Sequence, residues 1–142
     1  MRLTVIAQGR RPDPLLADAC DEYVRRAQPL LPFEVVHRAT ARAQWEFARS
    51  RGGVVVLLDE RGKQCSSPEL AQLIASWQRQ APKHVALLIG AADGFSDDER
   101  REAQSLLALS RLTLPHRLAL LVVCEQLYRA GTILAGHPYH HG

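Results

Sequence analysis

The chain has 142 residues, 46% of them hydrophobic, and a formal net charge of +3 at pH 7. These values predict one ordinary globular domain over residues 1–142 and exclude an intrinsically disordered chain. No apolar run approaches the ~20 residues of a membrane span, and the apolar start before Arg10 is too short for a signal peptide, so we expect a cytoplasmic protein.

The first half of the chain predicts strands and helices in alternation. The predicted elements are a strand over 2–7, a helix from Pro14 to the break at Pro29, a strand over 33–36, a helix over 40–51 and a strand over 54–58. Asp13 followed by Pro14 is a favourable cap and first helical residue. We expect the polar residues 59–62 to end the third strand.

The second half continues the alternation. A helix starts at Ser67 by the cap-plus-proline rule and ends before Pro82. Residues 85–89 are a continuous apolar run, which is typical of a strand buried on both faces. Ser96 and Glu99 then form a capping box, which predicts the start of another helix.

The last two predicted elements are a short strand and a long helix. Alternating apolar and polar residues over 109–114 predict the strand, and the most apolar helix of the chain follows from 115 to about 134. Strands alternating with helices predict an α/β fold with a parallel sheet of about five strands.

The cysteines and basic residues limit the kinds of metal site and binding partner that the sequence predicts. Cys20, Cys65 and Cys124 are far apart and form no CxxC, so they predict reduced thiols rather than a zinc site or a disulfide framework. The basic residues are nearly all arginine, whose planar guanidinium suits phosphates and stacked bases. Charge alone does not decide between a nucleic-acid partner and a composition that is simply rich in arginine.

Three predicted strand ends are candidates for a binding site: 58–59, 90–94 and 109–115. Ligands of α/β sheets bind at the carboxyl ends of strands, yet the GxGxxG and P-loop signatures are absent. If the strands are neighbours, their backbone N–H and C=O groups converge and can bind an adenine edge without a side-chain motif. Ordinary turns are the alternative interpretation.

The C-terminal tail contains His137, Tyr139, His140 and His141 within five residues. Three interpretations compete: a frayed end, a weak metal cluster, or a tail that folds over a site and supplies a base or RNA contacts. The behaviour of free termini favours the first.

The last helix raises two further questions. Glu125 and Arg129 are spaced to form an intrahelical ion pair. The apolar face over 120–123 is explained by a packed core, or alternatively by a dimer seam.

The segments LLIGAADG, LSRLTLPH, CEQLYRAGTI and HPYHH, in this order, resemble the ribosomal large-subunit RNA pseudouridine N3-methyltransferases of the RlmH type, which belong to the SPOUT class. The resemblance covers nearly the whole chain. It implies a single-domain parallel-sheet α/β/α sandwich with a C-terminal deep trefoil knot, an exception to the rule that chains do not thread loops. It also implies a homodimer, S-adenosylmethionine bound in the knot, and a pseudouridine substrate in large-subunit rRNA on the assembled ribosome.

The resemblance assigns residues to these roles. The implied cofactor contacts, largely through the backbone, are Leu58, Gly90, Leu109, Ser110, Arg111, Leu112, Thr113 and Leu114. The implied catalytic residues are His140 and Tyr139, where His140 or a water that it orients assists loss of the N3 proton. The implied RNA contacts are His141, Arg10, Arg11, Arg25 and Arg26, for which a solvated face is the alternative. No metal is implied.

Two positions depart from the family pattern. Ala91 stands in the 90–94 loop where the family commonly has glycine, and His141 stands where a basic residue usually follows the tail histidine. These departures keep open a rival function, a cofactor-free ribosome-binding or assembly factor. A second rival is a SPOUT methyltransferase that acts on another RNA.

Overall fold

The computed structural model describes residues 1–11 and 14–141, in which strands and helices alternate. The elements are β1 (Arg2–Gln8), α1 (Pro14–Ala27), β2 (Glu34–Arg38), α2 (Ala41–Arg51), β3 (Val54–Gln64), α3 (Ser67–Gln80), β4 (His84–Ile89), α4 (Asp97–Glu102), β5 (Ser105–Ala108) and α5 (His116–Ala135). The predicted cap Asp13 lies outside the described residues.

The strands form one parallel sheet in the order β2-β1-β4-β3-β5. All six residues of β4 are buried, because the strand lies between β1 and β3 and is covered on both faces. The continuous apolar run of β4 therefore reflects its central position. Because the strands are parallel, β1 and β4 end at the same edge of the sheet, where Leu58 of β3 pairs with Ile89.

Helices cover both faces of the sheet. On one face α1, α3 and α5 pack together, with Cys20, Ile74 and Leu127 in the larger core. On the other face Trp45 and Ala48 of α2 pack with Phe95 against β3 and β4. The predicted α/β/α sandwich is confirmed, while the threaded knot stays a prediction of the resemblance.

The expectation that β3 ends at residues 59–62 is wrong, because the strand continues to Gln64. After a register shift, Lys63 and Gln64 pair with Leu107 and Ala108 of β5. A Cβ on Gly62 would lie 2.6 Å from the Leu106 carbonyl carbon, so only glycine allows this approach. The polar residues of this part of β3 gave no sign of pairing because their partner lies about forty residues later in the chain.

The expectation of a strand over 109–114 is also wrong. The fifth strand is β5, which ends at Ala108, and the alternating residues that follow form a loop. Leu107 and Ala108 are buried, whereas Leu112 is 74% exposed. The alternation over 109–114 therefore reflects a loop and not a paired strand.

Serine side chains cap the N-termini of α3 and α4. Ser96 and Glu99 form the predicted capping box at α4. At α3 the cap is Ser66, with Glu69 as its box partner, one residue earlier than predicted. Each box satisfies two backbone N–H groups that a helix start leaves without partners.

Helix α5 is long and apolar enough to cross a membrane by length and composition, so the expectation that nothing in the chain approaches a span is too strict. Half of that apolar segment is buried inside the protein, against α1 and α3. This is typical of the core helix of a globular protein, and α5 is that helix here.

His84 at the start of β4 is buried in a polar cluster. Thr4 donates its hydroxyl hydrogen to Glu34, so its oxygen accepts from His84 Nε2 at 2.8 Å. Nδ1 of His84 has no hydrogen-bond partner among the described residues. Burial lowers the pKa of His84 because a second ring proton would lie buried without an acceptor.

We predict that acid destabilises the protein partly through His84. Its pKa is lowered in the folded state, so the stabilisation is present above the unfolded pKa of 6.5 and is lost as pH falls below that value. His84→Gln keeps a donor toward Thr4 but does not titrate. Between pH 7.5 and 5.5, urea unfolding should show a smaller loss of unfolding free energy for the variant than for the wild type. Burial also lowers the pKa of His37, so His37 accounts for part of the loss that remains in the variant. Equal losses in both proteins would contradict this account.

Candidate functional site

A cleft of about 630 Å³ lies at the carboxyl ends of β4 and β5, beside the middle of β3. Its walls are residues 58–61 of β3, the segments that follow β4 and β5, and the first turn of α5. The volume lies within the usual range for small-molecule sites, and the position is the one where open α/β sheets bind ligands.

Seven of the eight residues predicted to contact a cofactor line this cleft: Leu58, Gly90, Leu109, Ser110, Leu112, Thr113 and Leu114. Arg111, the eighth, does not. The three predicted segments therefore do line one cleft, but only the 90–94 segment follows the end of its predicted strand. Residues 58–59 lie within β3, and the 109–115 segment is the loop after β5.

The 90–94 loop is closely packed at its first residue and open at its last. A Cβ on Gly90 would lie 3.3 Å from the Phe95 ring, and Gly94 has a φ of +74°. Ala91 is not among the described non-glycine residues with positive φ, so its methyl group imposes no backbone strain there. The substitution in the family loop is therefore compatible with the loop's shape.

A buried ion pair fixes one wall of the cleft. Arg100 of α4 donates from Nε to Asp59 Oδ2 at 2.8 Å, and the Asp59 side chain is only 4% exposed. Asp59 Oδ1 also accepts the backbone N–H of Arg61 at 2.8 Å. This hydrogen bonding to Asp59 raises the pKa of Arg100. The pair holds the irregular part of β3 against α4. No local sequence pattern predicts it, because the two residues are far apart in the chain.

The 109–115 loop and the first turn of α5 add polar and apolar side chains to the cleft. Thr113 donates to Glu60 at 3.2 Å, joining the 109–115 loop to β3. The side chain of Leu112 is largely exposed. His116 also lines the cleft and approaches Gly9 after β1.

The tail folds back onto α5, so the expectation of a frayed end is wrong. Gly136 ends the helix with φ +73°, and the N–H of His137 bonds the carbonyl of Thr132 at 2.9 Å. The Tyr139 ring then packs edge-on against Tyr128, with centroids 4.7 Å apart. Among the described residues, no three histidine, cysteine or acidic side chains are grouped as metal ligands.

Arg129 connects the tail residues. It donates from Nε to Glu125 Oε1 at 2.7 Å, which confirms the predicted intrahelical pair. Its guanidinium carbon lies 4.8 Å from the Tyr139 ring centroid. Its Nη1 lies 3.0 Å from Nδ1 of His140. Burial raises the pKa of Tyr139, so its phenol stays protonated near neutral pH and acts as a donor.

The tail and the cleft of one chain lie far apart. The cleft borders the first turn of α5, whereas the tail packs around Arg129. At about 1.5 Å rise per residue, the α5 segment from His116 to Arg129 is about 20 Å long. The predicted catalytic residues and the predicted cofactor contacts therefore do not meet within one chain.

The predicted RNA contacts fall into two groups. Arg10 and Arg11 follow β1 on the cleft side, and Arg11 pairs with Asp21 at 2.8 Å. Arg25 and Arg26 end α1, and both pair with Glu22. Arg26 lies over Tyr23, which contacts Tyr128 beneath the tail. His141 is exposed at the end of that tail.

Comparison with known proteins agrees with this geometry. The family described as "Predicted SPOUT methyltransferase" matches residues 1–140. The chain belongs to the SPOUT methyltransferases. The resemblance drawn from the four sequence segments is therefore confirmed at the level of the family.

Curated relatives match the SPOUT chain over its full length. One from Anaeromyxobacter sp. (strain Fw109-5) is 44% identical over 156 residues and covers 99% of each chain. One from Thermus thermophilus is 43% identical, covering 99% of this chain and 98% of the relative. Both are named "Ribosomal RNA large subunit methyltransferase H".

Solved structures share the SPOUT fold at low sequence identity. The crystal structure of TrmJ from Z. mobilis ZM4 has a TM-score of 0.60 at 11% identity. The match covers 93% of this chain and 70% of that one. This likeness supports the architecture alone.

We predict that Arg100→Met destabilises the protein by about 3 kcal/mol, because it leaves the Asp59 carboxylate buried without its cation. The neighbouring Arg101 forms a surface pair with Asp98, so Arg101→Met should cost less than about 1 kcal/mol. Urea unfolding of the two variants measures the difference. Similar losses in both would show that the Asp59 pair does not fix the wall of the cleft.

Proposed function

We propose that this chain is a cytoplasmic methyltransferase that transfers the methyl group of S-adenosylmethionine to N3 of a pseudouridine in large-subunit rRNA, on the assembled ribosome. The observation that carries the proposal is the cleft at the carboxyl edge of the sheet, between β3 and the ends of β4 and β5, in a chain that belongs to the SPOUT methyltransferases. The names of the full-length relatives support rRNA as the substrate.

The shape and chemistry of the cleft fit an adenosine-containing cofactor. The cleft is large enough for a drug-sized molecule, and backbone segments form most of its walls. Apolar side chains such as Ile89 and Leu109 can cover the faces of a purine ring, while loop amides and carbonyls reach its edge. When bound, S-adenosylmethionine supplies an electrophilic methyl group on a positively charged sulfur.

This chain's own residues would position the target base. In-line displacement depends on holding the attacking nitrogen close to the methyl carbon, so positioning supplies much of the rate. Tyr139 offers an aromatic ring and a protonated phenol, and the exposed His141 extends the same tail. Arg10 at the cleft side and the arginines at the end of α1 would contact phosphates.

A homodimer would unite the separated halves of the site. The tail lies about 20 Å along α5 from its own cleft, so a second copy packed along α5 in the opposite direction brings its tail to that cleft. Leu118 and Leu134 of α5 are 42% and 37% exposed, which leaves apolar surface for such packing. The dimer seam suggested by the apolar face of α5 would then also serve catalysis, because it completes the active site.

We predict methyl transfer to large-subunit rRNA by the purified protein, measured with radiolabelled cofactor. Ribosomes from cells that lack the modification should accept about one methyl group each, and ribosomes whose target position is uridine should accept none. Transfer to another RNA alone would favour the rival SPOUT substrate. Ribosome binding without any transfer would favour the assembly factor.

Mixed variants provide the control for the shared site. Gly90→Val blocks the cleft, since a larger side chain meets Phe95, and His140→Ala removes the tail group. Each variant alone should be inactive, and a refolded equal mixture should regain about a quarter of wild-type activity, because half of the dimers carry one intact pair. No recovery in a mixture that forms dimers would contradict the shared site.

A further inference from the structure

We propose that Arg129 is a positioning residue that fixes the tautomer of His140, so that His140 presents an N–H at Nε2 and acts on the substrate base as a hydrogen-bond donor. The inference rests on the proposed function for its substrate. It changes the expected chemistry of the tail, because a ring that donates from Nε2 does not remove the N3 proton with that atom.

The tautomer follows from the contact between the two side chains. Arg129 Nη1 lies 3.0 Å from His140 Nδ1. A guanidinium has five N–H donors and no acceptor, so Nδ1 must accept in this contact. A neutral imidazole whose Nδ1 carries a lone pair holds its one proton on Nε2.

Arg129 is itself held in place on two sides. Its Nε donates to Glu125 one turn earlier on α5, where the two side chains are 24% and 18% exposed. Its planar group lies over the Tyr139 ring, 4.8 Å from the centroid. An arginine restrained by a carboxylate and an aromatic face keeps its guanidinium in one orientation, with Nη1 beside His140.

The turn in the tail places His140 next to Arg129. His137 Nδ1 accepts the backbone N–H of Tyr139 at 3.2 Å, which tightens the turn after Pro138. Tyr139 then packs on Tyr128 and through it on Tyr23 of α1. The ring of His140 therefore has a defined position before any RNA binds.

A donor at this position suits the reaction. N3 of the base lies between two carbonyl groups, so loss of its proton spreads negative charge over their oxygens. An N–H from His140 Nε2 to one of these oxygens stabilises that charge as it develops. The N3 proton passes to solvent water, the electron pair left on N3 forms the bond to the methyl carbon, and His140 keeps its own proton.

Substitution of His140 separates a donor from a base. His140→Gln places an amide N–H where Nε2 was and cannot take a proton, whereas His140→Asn reaches only the position of Nδ1. We expect the Gln variant to keep its single-turnover rate within about tenfold of wild type and the Asn and Ala variants to lose about 100-fold. Equal losses for Gln, Asn and Ala would overturn the donor role.

Substitution of Arg129 tests the positioning role. Arg129→Lys keeps a cationic donor on a long side chain, and Arg129→Met keeps the length without a donor. The single-turnover rate of the Lys variant should be at least tenfold higher than that of the Met variant. The two variants should have equal melting temperatures. Equal rates in the two variants would overturn the positioning role.

Nitrogen-15 NMR of the histidine rings gives a readout that does not depend on activity. In the free wild-type protein, with signals assigned by His140→Gln, the proton should be on Nε2 and Nδ1 should be an unprotonated, hydrogen-bonded nitrogen. The Nδ1 signal should shift in Arg129→Met. A proton on Nδ1 in the wild type would overturn the tautomer assignment. If the spectrum is as expected but the protein transfers no methyl group, the tautomer assignment stands, and the proposed function and the donor role built on it are rejected.

Discussion

The carboxyl ends of β1 and β4 are tied together by one buried side chain. Gln44 of α2 is fully buried, and its amide nitrogen donates to the carbonyls of Ile6 and Ile89 at 2.7 and 2.9 Å. Ile89 is the last residue of β4, and Ile6 lies near the end of β1. Leaving either carbonyl without a partner would carry a desolvation cost. Gly90 follows at once, so the floor of the cleft starts from a fixed backbone position.

The rest of the site depends on that fixed edge. The Asp59–Arg100 pair sets the wall on the β3 side, and the loop after β5 closes the third side. Helix α5 begins at the cleft and carries the tail to its other end. One long core helix therefore both completes the cleft and separates it from the tail residues that we propose act on RNA. The proposed homodimer would bring the two together.

Features with local causes could be predicted from the sequence. The buried run of β4, the Ser96 box and the Glu125–Arg129 pair each depend on residues within one element or one turn. The cleft residues were found because backbone at strand ends needs no particular side chain. The extension of β3 was missed since its partner is β5 and its own residues are polar.

Contacts between distant residues could not be read from local patterns. Arg100 and Asp59 are 41 positions apart, and either alone is an ordinary surface residue type. The tail histidines suggested a frayed end because nothing nearby in sequence binds them. Their order depends on Tyr128 and Arg129. The sequence predicted only the pairing of Arg129 with Glu125.

If the edge held by Gln44 and Arg100 forms a cofactor site, calorimetric titration with S-adenosylmethionine will detect binding there. We expect a dissociation constant in the micromolar range, and loss of binding in a folded Gly90→Val variant. No detectable heat from a folded wild-type protein, across several temperatures, would contradict it. The cleft would then be a structural remnant, and the chain's function would lie in its contacts with RNA.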